Sequence, residues 1–157
     1  MIDVILDDSA WEAAEPRAAA LAEIAAAAVL THERARAGDI AILLADDARI
    51  AELNAAFRGK DGPTNVLSFP AAAGNDAQQS RSLGDIALAF GVCAREAAEQ
   101  GKSLAHHLQH LTAHGVLHLL GYDHESDAEA EAMEAKERAI LAGLGVADPY
   151  APPAREL

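Results

Sequence analysis

The sequence predicts a small α+β domain, a mixed β-sheet of about four strands packed with about five helices. Two observations carry this expectation. A chain of 157 residues is long enough for one hydrophobic core and short for two. Along it, apolar runs of strand length mix with stretches of helical period, without the strict alternation that an all-parallel sheet would impose. One domain is expected over 1–146, followed by a loose, proline-rich tail over 147–157.

Ile2 to Leu6 reads as a short strand. Glu15-Pro16 starts a helix, because proline suits the first helical turn, and the alanine-rich segment runs to about Ala37, where Gly38 closes it. Ile40 to Leu44 is an unbroken apolar run, as in a strand buried on both faces. Asp46 and Asp47 offer caps for a helix whose Ile50, Leu53 and Phe57 share one face. Gly59, Gly62 and Pro63 mark a turn before a strand from Asn65 to Phe69. Pro70 to Ser82 is small, polar and patternless, which suggests a mobile loop. Asp85 to Phe90 is a further strand, with a helix around Ala94 to Gln100. Ser103 caps a helix that continues to about Leu120, where Gly121 stops it. Ser126-Asp127-Ala128-Glu129 has the form of a capping box and opens a last helix through Met133, Ile140 and Leu141.

Composition narrows the class. Apolar residues make up 51% of the chain, but alanine inflates the share and aromatics are only 4%, so the core rests on a limited set of Leu, Ile, Val and Phe. Cys93, the single cysteine, excludes an internal disulfide and reads as a small buried hydrophobe. The N-terminal segment carries Asp3, Asp7 and Asp8 where a signal peptide needs basic residues. The apolar stretch Ala18 to Leu30 is interrupted by Glu23 and too short to span a bilayer. A cytoplasmic protein with no membrane partner is expected. The net charge of -13 argues against nucleic acid, because affinity for phosphates comes largely from Lys and Arg. Its distribution softens the objection. Acids concentrate between Asp123 and Glu137, as on a solvated helix face, whereas Arg58 and Lys60 have only Asp61 nearby.

The informative stretch is His114-Gly115-Val116-Leu117-His118-Leu119-Leu120-Gly121-Tyr122-Asp123-His124. Residues four apart on a helix lie one above the other, so His114 and His118 present two imidazoles to one point. Gly121 lets the chain turn back and bring His124 in as a third ligand. Three neutral nitrogens leave one corner of a tetrahedron open, as a catalytic zinc needs, although nickel, cobalt or iron would also suit them. One ion per chain is expected. His110, a helical turn before His114, stands off that centre, beside the ligands or in solvent.

The same histidine spacing occurs in the metzincin proteases, where a glutamate follows the first histidine as general base. Gly115 occupies that position, on the face of Leu104, Leu108 and Leu111, and glycine cannot move a proton. The metal cage remains and the proteolytic base is gone.

His114 to His124 resembles the signature of the YbeY family, H-G-x-L-H-L-x-G-Y-D-H. Asn54-Ala55-Ala56-Phe57-Arg58-Gly59-Lys60 with Pro63-Thr64-Asn65-Val66-Leu67-Ser68-Phe69-Pro70, and then Gly84-Asp85-Ile86, resemble its further motifs, in order. The resemblance implies a single-strand-specific, metal-dependent endoribonuclease acting in late small-subunit ribosomal RNA maturation and ribosome quality control. It also implies zinc on His114, His118 and His124, and catalytic roles for Arg58 and His114. In such a site the metal would polarise a phosphoryl oxygen or acidify water, and the Arg58 fork would pair with the phosphate. Lys60 has the chemistry for a phosphate contact or for a solvated turn. Thr64, Asn65 and Ser68 suit the turn and strand as well as they suit RNA. Tyr122 could stack on a base or pack beneath the metal loop. No general base is evident. Asp123 fits the task of orienting a histidine, and Asp85 could reach the cleft from its strand. Two other classes stay open. One is an assembly factor with a structural metal, which the acidic surface would help to bind basic ribosomal proteins or an assembly GTPase. The other is a metallohydrolase of unrelated substrate, including a degenerate protease.

Overall fold

The computed structural model describes residues 1–35, 38–71 and 82–151. Its elements follow in chain order: β1 Ile2–Leu6, α1 Ala10–Ala14, α2 Ala18–His32, β2 Asp39–Ala45, α3 Asp47–Arg58, β3 Val66–Pro70, β4 Ser82–Ala89, α4 Phe90–Glu99, α5 Leu104–Leu119 and α6 Asp127–Gly143. The strands form one mixed sheet in the order β1-β2-β4-β3. β2 pairs in parallel with β1 and β4, while β3 runs antiparallel along β4 at the edge. This is the α+β architecture expected, with a sixth helix.

β2 lies between β1 and β4, and its Ile40, Ile42 and Leu44 are buried in the main core. Ala41 and Leu43 on the other face are half-buried and line a groove, so the strand is not buried on both faces, contrary to expectation. One face of the sheet carries the main core, where Ile42, Leu44, Ile86 and Leu88 meet Val29 of α2 and Leu108, Val116 and Leu117 of α5. A smaller core on the other face joins Ile50 of α3 to Ala45, Leu67, Ala87 and Ala89. Helix α5 is central, packing against α2, α4, α6, β3 and β4. Gly115 is why it approaches so closely. A Cβ there would lie 3.1 Å from Ile86 Cδ1 and 3.2 Å from Ser68 Oγ.

Helix ends follow the local signals. Asp46, Ser103 and Ser126 each accept a hydrogen bond from the backbone N–H three residues on, those of Arg49, His106 and Glu129. At the end of α5, Gly121 adopts φ 102 and the Tyr122 N–H donates to Leu117 O at 3.1 Å.

Several boundaries differ from expectation, most of them for a tertiary reason. Helix α1 was not foreseen. It carries Trp11, fully buried, whose indole N–H donates to Ala45 O at 3.0 Å and so ties the helix to the end of β2. Helix α2 begins at Ala18 and ends at His32, with Arg34 at φ 53 in the turn beyond. Helix α4 begins at Phe90, directly after β4 and earlier than its sequence suggests. Its cap comes from α3, because Asp47 Oδ1 accepts the Val92 N–H at 3.1 Å. β4 likewise starts at Ser82, paired with Asp39. Most of the expected loop from Pro70 to Ser82 lies outside the described residues. No described helix is long and apolar enough to cross a membrane.

Candidate metal centre

Helix α5 presents His114 and His118 on one face, and the turn at Gly121 returns His124 to them. One ligand atom from each lies within 4.8 Å of the others. The Nε2 atoms of His114 and His118 face each other at 3.1 Å. Two nitrogens bound to a tetrahedral zinc at about 2.0–2.1 Å stand about 3.3–3.4 Å apart, so the pair is spaced for a shared ion.

The outer sides of the rings explain why the inner nitrogens are available. His114 Nδ1 donates to Glu137 Oε1, and this fixes its lone pair on Nε2. The Tyr122 backbone adjoins the His118 ring, whose Nε2 faces His114. His124 Nδ1 lies 3.3 Å from Asp123 Oδ1, and the same oxygen accepts the His124 backbone N–H at 2.7 Å. Burial, followed by the neighbouring His114, lowers the pKa of His118 and favours the neutral, ligating form. An N/N/N set of imidazoles and a cleft on the remaining side fit a divalent transition metal.

That cleft has a volume of about 790 Å³ and is lined by the three histidines together with Arg58, Thr64, Asn65, Ser68 and Tyr122, among others. Arg58 is the last residue of α3 and Gly59 follows in the left-handed region at φ 64, which ends the helix and leaves the guanidinium exposed at the rim. Lys60 is exposed and is not among the lining residues. Asn65 and Ser68 are engaged within the fold. Asn65 Nδ2 donates to Glu96 Oε1 at 3.0 Å and its Oδ1 accepts the Val66 N–H, while Ser68 Oγ donates to Gly115 O at 3.3 Å. Tyr122 both lines the cleft and packs against the main core, its hydroxyl donating to Glu33 and its ring 5.0 Å from the Lys136 ammonium. Asp85 does not line this cleft. It lies beside Leu43, Leu53 and Phe57 in a groove on the α3 side of the sheet.

Residues 6–145 match the family described as Endoribonuclease YbeY. The chain belongs to that family. A relative from Rhodopseudomonas palustris named endoribonuclease YbeY is 52% identical, over 95% of this chain and 91% of its own length. One of the same name from Azorhizobium caulinodans is 51% identical over 98% of both chains. A solution structure from Thermotoga maritima, 25% identical, superposes with a TM-score of 0.56 over 99% of this chain and 100% of that one.

The residue that sequence reasoning missed is Glu137. The acidic run of α6 was expected to be solvated, yet Glu137 is fully buried. The signal was present, because Glu137 shares the helical face of Met133, Ile140 and Leu141. Its Oε2 accepts the Tyr150 hydroxyl proton, and His110 Nε2 lies 3.7 Å from the same oxygen. Burial alone would raise this carboxyl's pKa, but the adjacent His110 and the hydrogen bonds from His114 and Tyr150 bring it down to about 2. The segment expected to be loose after Val146 is docked as far as Tyr150, just beyond the family match. Residues 152–157 of that tail lie outside the described residues. His110 is thus an inner neighbour of the site, with its side chain 12% exposed, and not a member of the ligand group.

Proposed function

We propose that this chain is a single-domain, metal-dependent endoribonuclease that cuts single-stranded RNA, and that zinc is held by His114, His118 and His124. One observation carries the reading: three imidazoles converge in a cleft that also receives Arg58. The family's name supports phosphodiester cleavage as the reaction. The proposal extends to late small-subunit ribosomal RNA in the cytoplasm, with basic ribosomal proteins or an assembly GTPase as partners.

When bound, the metal supplies Lewis acidity at the scissile phosphate and at water. The chain's own residues do the rest. His114 and His118 hold the centre on a rigid helix, and His124 closes it from the turn. Arg58 pairs with the phosphate and stabilises charge that develops on it, which its forked donors suit. Lys60, two residues on, takes a neighbouring phosphate outside the cleft. Asp123 and Glu125 also line the site and repel a polyanion, so the strand is drawn toward the Arg58 side. Gly115 is buried against Ile86 and Ser68, which leaves the protease's base position without a base.

The test is cleavage of a labelled single-stranded RNA by zinc-loaded protein. Arg58→Ala should keep zinc and fold yet lose cleavage by about 10²–10³-fold, the scale of removing one transition-state charge partner. His114→Ala should lose both zinc and cleavage. Cleavage that persists in His114→Ala would assign the activity to a contaminant, and full activity in Arg58→Ala would remove that residue from the mechanism. The net charge of -13 favours one second reading, a non-cleaving assembly factor with a structural metal. Tight zinc binding with no cleavage would select it. A casein digest that requires His118 would instead select a protease.

A further inference from the structure

Glu137 is a buried carboxylate whose partners all belong to the surroundings of the metal centre. Among the described residues, no Lys or Arg pairs with it. Its Oε1 accepts a hydrogen bond from His114 Nδ1–H, and its Oε2 accepts one from the Tyr150 hydroxyl, with His110 alongside. An unpaired carboxylate inside a protein is strongly destabilising, so these donors are what make the site tolerable. Tyr150 is held in place from three directions. Arg138 of α6 pairs with Asp148 at 3.2 Å and lies 5.3 Å from the Tyr150 ring. Lys102 donates to Pro149 O at 3.3 Å. The His110 ring of α5 meets the Tyr150 ring edge-on at 5.5 Å.

We propose that Glu137 and Tyr150 are positioning residues for metal binding, Glu137 acting through His114 and Tyr150 acting through Glu137, so that the segment ending at Tyr150 is a working part of the metal centre. The inference rests on His114, His118 and His124 being the ligands. Glu137 accepts the hydrogen bond of the His114 Nδ1–H, which leaves the Nε2 lone pair aimed at His118 Nε2. With the Tyr150 hydroxyl on Oε2, the carboxylate is pinned at both oxygens and cannot rotate away from the imidazole. Without that hydroxyl only His110, at 3.7 Å, remains beside Oε2, so the carboxylate is held less firmly and the His114 ring is oriented less tightly. The coupling is reciprocal by thermodynamic necessity, so an occupied metal site holds the Tyr150 segment down by the same factor.

The experiment measures zinc dissociation constants by chelator competition for wild type, Glu137→Gln, Tyr150→Phe and the double variant, together with metal-free thermal midpoints. Glu137→Gln should bind zinc about 10–100-fold more weakly, the usual scale for an outer partner of a ligating histidine. Tyr150→Phe keeps the ring and removes only the hydroxyl, and should weaken zinc about tenfold, at the lower end of that scale. In the Glu137→Gln background Tyr150→Phe should add nothing, because it acts through the carboxylate. Additive losses, or a Tyr150→Phe affinity equal to wild type whatever its metal-free midpoint, would overturn the proposal while leaving the ligand assignment intact. A wild type that fails to bind zinc would overturn both.

Discussion

Gly115→Ala sets two known effects against each other at the closest approach of α5 to the sheet. Helix propensity alone favours the change, because alanine in a helix interior is about 1 kcal/mol better than glycine. Packing opposes it. The new Cβ would sit 3.1 Å and 3.2 Å from two carbons of Ile86 and 3.2 Å from Ser68 Oγ, where ordinary contact begins near 3.4 Å. Two neighbouring side chains must therefore each give by a few tenths of an ångström. Ile86 is 1% exposed in the main core and has little room, and Ser68 donates to Gly115 O. Overpacking of this kind costs about 1–3 kcal/mol. The difference leaves about 1 kcal/mol of net destabilisation, or a fall of about 2–4 °C in Tm for a domain of this size. Differential scanning calorimetry on metal-free protein reads it directly. A variant that melts above wild type would show that the helix–sheet gap can open freely, and the packing account of Gly115 would be refuted.

Gly91→Ala should be costlier, because its Cβ would come 2.4 Å from Asp47 Oδ2, the carboxylate that caps α4 and pairs with Arg95. We expect a loss of about 1–2 kcal/mol in urea titrations, and little further loss when Asp47→Ala is added, since both remove the same cap. Glu137 predicts an acid limb in the metal-free protein. Its carboxyl falls from an ordinary 4.5 to about 2 in the fold, so the charged form stabilises the protein fully above the unfolded value. That stability, about 3 kcal/mol, is lost as pH falls from about 4.5 toward 2. Glu137→Gln should flatten the limb, and stability curves that stay parallel to wild type over that range would contradict the assignment.

Much of the centre was legible because it is written at short range. The i, i+4 spacing of His114 and His118, the stop at Gly121 and the return to His124 follow from helical period and one positive-φ residue. The caps at Asp46, Ser103 and Ser126 act across three residues, and the apolar run of β2 marks a central strand, though only one of its faces is fully buried. What the sequence could not declare are partners brought together by packing. Asp47 caps a helix that begins at Phe90, Trp11 ties to Ala45, and Glu137 reaches His114 from another helix. Each joins groups far apart in the chain, and no local period encodes such a distance. Glu137 shows the difference most plainly. By composition it was one more acid in a solvated run, and only the approach of α6 to α5 made it a buried carboxylate holding the His114 imidazole.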